Sequence, residues 1–220
     1  FIVLADADIE KTAIGAAKGR MQNTGQSCIA AKRFIVLKDN AEKFTTAFIA
    51  EVQKMKVGNP AEEGTIIGPM ARKDLLETIA KQVDESVKKG AHILLGGKML
   101  PGDGYYYEPT ILSNIPKDSP AYNEELFGPV ASLFVVENEE KAIALANDTM
   151  FGLGASIWSE NTKHALELAR KIESGNVYIN TIVKSDQRIP FGGVKNSGFG
   201  RELSDVGIKE FVNFKTTVIG

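Results

Sequence analysis

The chain has a single cysteine, Cys28, among 220 residues. An internal disulfide and any metal site built on several cysteines are therefore excluded, and a reducing compartment, the cytoplasm, is expected. Long apolar runs are also missing: stretches such as Phe34-Ile35-Val36-Leu37 fall far short of the roughly 20 residues that span a bilayer, so no membrane partner is expected. Neither sign of charge dominates. Lys and Arg number 26 against 28 Asp and Glu, a net charge of -2 with no basic run to grip a phosphate backbone, so nucleic acid is not an expected partner. The two histidines, His92 and His164, lie far apart and make a poor ligand set, so no metal is expected. Phosphate-loop, zinc-protease, nucleophile-elbow and dinucleotide-fingerprint motifs are all missing. Asn147-Asp148-Thr149 matches a glycosylation sequon that a cytoplasmic chain would never present to the machinery. The opening Phe1-Ile2-Val3-Leu4 has neither an initiator Met nor the zones of a signal peptide, which leads us to expect a piece of a longer protein.

What is present is a well-cored composition, 43% hydrophobic and 25% charged, which excludes disorder. Helix and strand signals alternate along it. A helix is predicted from Asp8 to Met21, breaking at Asn23 and Gly25. Phe44, Phe48, Val52 and Met55 recur at helical spacing after Asn40, a good cap, and Leu75, Ile79, Val83 and Val87 do so up to Gly90. Thr162 to Ser174 places Ala165, Leu168, Ala169 and Ile172 on one side, and Asn138 caps a further helix to Asn147. Between them lie β-rich runs at Phe34 to Leu37, His92 to Leu95, Pro129 to Val136, Ala155 to Trp158 and Val177 to Ile179. The alternation predicts an α/β fold with a largely parallel sheet and flanking helices. A glycine-rich turn at Gly192, Gly193, Gly198 and Gly200 should lead into a helix from Glu202 to Phe211. The β-prone end, Phe214 to Ile219, must pair with something, and a neighbouring subunit is one solution.

The segment Gln22-Asn23-Thr24-Gly25-Gln26-Ser27-Cys28 puts the sulfur just past a turn rather than on a packing face. Taken alone, a single Cys is either a small buried hydrophobe or a nucleophile, and local spacing does not decide between them.

Several segments read together do more. Asn23 to Cys28 (N-T-G-Q-S-C), Glu124 to Pro129 (E-E-L-F-G-P), Pro190 to Gly193 (P-F-G-G) and Val194 to Glu202 (V-K-N-S-G-F-G-R-E) follow in the order and spacing of the aldehyde dehydrogenase superfamily. The chain resembles its C-terminal, catalytic half, and A-K-R-F after the cysteine is most similar to the bacterial succinate semialdehyde dehydrogenase branch. The resemblance implies that Cys28 is the nucleophile and its backbone N–H an oxyanion donor. It implies that Glu125 and Phe127 contact the nicotinamide half of NAD or NADP, the carboxylate accepting ribose hydroxyls and the aromatic edge fixing the ring. Without it, Glu125 could be a turn residue and Phe127 part of the core. Phe191 is expected near the substrate entrance. Asn180 resembles a position near the active site, with turn capping as its plainer role.

The same resemblance divides the chain into a catalytic domain over residues 1–190, a return segment over 191–211 towards a dinucleotide-binding domain missing from this sequence, and an oligomerisation strand over 212–220 of a homodimer or homotetramer. The family's general base and second oxyanion donor would lie before Phe1, so the chain by itself is expected to produce no NADH or NADPH. For a small-molecule aldehyde bearing a carboxylate, such as succinate semialdehyde, Arg188 is the expected charge clamp, with Ser185 adding a hydroxyl. Arg188 could equally be a solvated loop cation. Gln22 stands where some members of that specificity carry Arg, which leaves other short aldehydes open. Three alternatives also remain open: a CoA-acylating dehydrogenase, a thiol acyltransferase or hydrolase, and a non-catalytic assembly piece.

Overall fold

The computed structural model describes residues 1–220. Seven strands form one sheet in the order 176–179, 154–158, 2–3, 33–37, 130–136, 110–113, 92–95, all parallel except the last pair. This is the expected α/β architecture. Alternation within the strands sorts the core. Phe34 and Val36 face the helices Ile9–Met21 and Ala41–Gln53, whereas Ile35 and Leu37 face Glu139–Asn147 and Thr162–Ala169. On the first face Phe1 stacks on Trp158 at 5.1 Å between centroids and Phe34 meets Phe48 at 4.8 Å. A third cluster sits under the Lys73–Lys88 helix, with Ile79, Val83, Leu112 and Leu126 at its heart. No helix is long and apolar enough to cross a membrane.

Several expectations need correction. Asn40 does not cap the helix that follows it; its amide donates instead to the carbonyls of Leu4 and Ala5, both at 2.9 Å, pinning the central strand's exit. On the 73–88 helix the buried stripe is Leu76, Ile79, Val83 and Ser86, so Leu75 and Val87 sit at its margin. The helix starting at Thr162 ends at Ala169, because Lys171 and Ile172 bond three residues back and tighten the turn that buries Ile172. The helix expected over 202–211 shrinks to Ser204–Gly207 and a 3₁₀ turn at Ile208–Phe211: Leu203 and Ser204 have φ of 64° and 53°, and the exposed Ile208 and Phe211 find no core. Residues 213–220 form no strand within the chain, and Phe214, Val218 and Ile219 are exposed. Short strands that sequence reading missed include Ile2–Val3 in the centre of the sheet and Thr110–Ser113 near its edge.

Candidate active site

Parallel pairing collects the amino ends of the strands on one edge. Residues 27–32 lead into the 33–37 strand and residues 125–129 into the 130–136 strand. Arg33 lies opposite Ser132, so the two lead-in loops are neighbours, joined where Ser132 N–H donates to the Lys32 carbonyl at 2.9 Å. The turn that precedes the first loop also meets the second at two glycines: a Cβ on Gly25 would lie 2.0 Å from the Gly128 carbonyl oxygen. A cavity of about 810 Å³ opens at this edge, lined among others by Cys28, Lys32, Glu125 and Phe191. Ligands of open α/β sheets usually sit at the opposite, carboxyl ends of strands.

The segment leading to Cys28 is conformationally unusual. Asn23, Thr24 and Gly25 carry φ of 50°, 56° and 71° in succession, a left-handed stretch that is costly for the β-branched Thr24. Contacts from elsewhere hold it. The fully buried Arg20 donates from Nη2 to the Gly25 carbonyl at 2.6 Å, Thr24 Oγ1 donates to Gly68 O at 3.3 Å, and Gln26 Oε1 accepts from Ala71 N–H at 2.8 Å. Cys28, just past this turn, is a free, exposed thiol.

Leu126, 1% exposed in the third cluster, anchors E-E-L-F-G-P, and Gln82 of the 73–88 helix donates to Glu124 Oε2 at 2.8 Å. With the middle residue inside, Glu125 is left facing the cavity, its side chain 38% exposed. Its Oε1 pairs with Lys32 Nζ at 3.0 Å, and the same ammonium lies 5.7 Å from the centroid of Phe127. Lys32 also donates to the carbonyls of Ser27, Cys28 and Ala30 at 3.1, 3.3 and 3.0 Å. Burial and the nearby Arg20 guanidinium pull the Lys32 pKa down, while Glu125 pulls it back up. Burial lowers Arg20 to about 9, Glu125 opposing the shift, and its Nε and Nη1 have no hydrogen-bond partner.

The structure therefore brings Cys28, Glu125 and Phe191 to one cavity and leaves Phe127 behind Lys32. Phe191 is 5% exposed and fixed by a reciprocal backbone pair with Glu202, at 2.9 and 2.7 Å. Gln22, Ser185 and Arg188 do not line that cavity. Gln22 donates weakly to Gly19 O at 3.3 Å. Ser185 is exposed, and Arg188, 82% exposed, is forked onto Asp186 at 2.9 and 2.6 Å. That guanidinium in turn holds Asp186 far below the usual carboxylate range. Asn180, at φ 54°, clips the main chain of Ser159 by donating at 2.8 Å and accepting at 2.9 Å, a tie to a segment 21 residues away rather than the local turn capping considered for it. His92 is exposed in its edge strand, and His164 pairs with Glu139 at 2.8 Å. The Asn147 amide is engaged by Lys171 O and Glu173 N–H, both at 2.9 Å.

Sequence reasoning missed Arg20 and Lys32. A signal for the first was available: Ala13, Ala17 and Arg20 share one helical stripe, and a cation on a buried stripe requires a partner. Lys32 stood inside A-K-R-F with nothing to mark it.

A sequence profile of the aldehyde dehydrogenase family matches residues 1–217. A probable succinate-semialdehyde dehydrogenase (NADP+) of Synechocystis sp. is 53% identical over 219 residues, covering 100% of this chain and 48% of that protein. The succinate semialdehyde dehydrogenase (NAD(P)+) Sad of Escherichia coli K12 is 47% identical over 216 residues, 98% of this chain and 47% of that one. The crystal structure of succinic semialdehyde dehydrogenase from Streptococcus pyogenes with NADP+ superimposes with a TM-score of 0.94 at 38% identity, over 97% of this chain and 47% of its own. The chain spans about half the length of the curated relatives it matches.

Proposed function

Since the chain belongs to the aldehyde dehydrogenase family, we propose that it is the nucleophile-bearing part of an NAD(P)-dependent dehydrogenase of a short aldehyde, succinate semialdehyde foremost. The observation that carries this reading is the shared cavity: an exposed thiol and an exposed carboxylate from two adjacent lead-in loops, the loops tied together by one ammonium that holds the Cys28 carbonyl and the Glu125 carboxylate. Its volume of about 810 Å³ is that of a cofactor or ligand pocket. Glu125 fits a nicotinamide ribose: Oε1 is engaged by Lys32, and Oε2 is open to a hydroxyl donor. When bound, the nicotinamide would accept the hydride that leaves the substrate carbon.

The chain's own residues do the rest. Cys28, as thiolate, adds to the aldehyde carbon and holds the substrate as a thiohemiacetal and then as a thioester, for which sulfur is both a good nucleophile and a good leaving group. The Cys28 backbone N–H is the proposed donor to the developing oxyanion. Phe191 walls the substrate side, and Phe127 backs the carboxylate. Arg188, with Ser185 and Gln22 as supplementary donors, remains the proposed clamp for a substrate carboxylate, reached in competition with Asp186. A free thiol nucleophile suits the cytoplasm. Residues 212–220 are proposed to complete a sheet in a partner subunit, burying the apolar tail.

The test is the Cys28→Ser variant of the full-length polypeptide, followed by NAD(P)H absorbance with succinate semialdehyde. Loss of turnover by a factor of about 10³ or more is expected for removal of a covalent nucleophile. Retained turnover would falsify the reading.

A further inference from the structure

Lys32 makes four contacts from one ammonium group. Three are to main-chain carbonyls of Ser27, Cys28 and Ala30, which curl around it at 3.0–3.3 Å, and the fourth is to Glu125 Oε1 at 3.0 Å. Its side chain is 18% exposed, so these partners rather than water satisfy it. No other side chain contacts both loops in this way: Gln82 reaches Glu124 and the Glu125 carbonyl from behind, and Arg20 holds Gly25. The carbonyls alone could be satisfied by a neutral donor. The ion pair could not, and at this distance in a partly desolvated site it is stronger than an exposed pair.

We propose that Lys32 is a positioning residue, a latch that ties the Cys28 segment to Glu125 and so fixes the separation of thiol and carboxylate across the cavity. The proposal rests on the reading of Glu125 as the nicotinamide-ribose ligand. A Glu125 side chain without its latch is free to swing into solvent, and the cofactor must then bear the entropy of recapturing it. Lys32 touches neither reacting atom, so its effect falls on cofactor binding first.

The test uses the full-length polypeptide and direct binding. NADPH and NADH are titrated by fluorescence, without aldehyde, against wild type, K32Q, E125Q and K32Q/E125Q, with the thermal midpoint and the rate of Cys28 alkylation by iodoacetamide measured on each. K32Q keeps a donor for the carbonyls but has no charge; K32M serves as second variant. The expected result is a rise in Kd of about tenfold in both single variants, and a double variant no weaker than E125Q alone, because both changes break one interaction. Wild-type affinity in K32Q beside weakened E125Q overturns the latch and leaves Glu125 in place. Effects that multiply in the double variant also overturn it. Wild-type affinity in E125Q overturns the ribose assignment itself, and the latch with it. A lowered thermal midpoint or altered alkylation rate in K32Q without weaker binding assigns Lys32 to bracing the carbonyls only, against the proposal.

Discussion

Two loops carry the residues on which substrate chemistry would depend, and they are built in opposite ways. The Asn23–Cys28 loop is strained, and side chains and backbone remote in sequence hold it: Gly68, Ala71 and Gly128 all press on it, and two shielded cations brace it from within. The loop at 185–190 is framed more lightly, its one remote backbone contact being Ser204 N–H to the Gln187 carbonyl at 3.0 Å. Its charged pair, Asp186 and Arg188, is local and forked, and the guanidinium is exposed, so solvent can replace the carboxylate as its partner. A group that performs covalent chemistry requires fixed geometry, whereas a group that recognises a charged tail can find it by moving. On this comparison, changes near Cys28 register in stability and turnover together, and changes near Arg188 register in substrate preference alone.

The largest effect is expected at Gly25. Alanine there meets the Gly128 carbonyl and must adopt φ 71°, at a cost of about 2–4 kcal/mol in a urea unfolding measurement. A cost under about 1 kcal/mol would mean that the two loops separate easily. Arg20→Met is expected next. It keeps volume but leaves the buried Gly25 carbonyl without its donor, a loss of about 1–3 kcal/mol with lowered turnover. Stability at or above wild type would show that the desolvation of Arg20, two of whose nitrogens are unpartnered, outweighs its one bond.

At the other loop, Arg188→Leu should raise KM for an acidic aldehyde about 3- to 10-fold and leave a neutral aldehyde of similar size unchanged. Asp186→Asn, which releases the guanidinium, should lower the acidic KM. Equal effects on both aldehydes would remove Arg188 from recognition. The smallest effect lies far from either loop. Glu139, first by hydrogen bonding and then by charge, raises the His164 pKa above 6.5, so the folded form holds the proton more tightly than the unfolded one. The stabilisation is complete below that value and disappears as pH rises through the folded pKa. The thermal midpoint difference between wild type and Glu139→Gln should therefore shrink from about pH 5 to about pH 8.

Much of this was legible in the sequence, for identifiable reasons. The β-rich run at Phe34 to Leu37 and the cap at Asn138 are local patterns and appear where read. Segments that lack a local signature were missed or overextended. Ile2–Val3 is too short to announce itself and exists because two parallel neighbours pair with it. The 202–211 helix had the pattern but no core to pack on, and in Asn40 a residue with good capping chemistry was diverted to two nearer carbonyls.

The sequence by itself determined the α/β alternation, the single free thiol and the spacing that marks the dehydrogenase family, because each depends on residue type and local order. Only the tertiary structure decided that Cys28 and Glu125, 97 positions apart by their numbering (125 minus 28), share a cavity, that Lys32 joins them, and that Arg188 is already occupied by Asp186. Those facts follow from parallel strand pairing, which sets distant lead-in loops side by side, and from burial, which leaves a cation no partner but the ones folding provides.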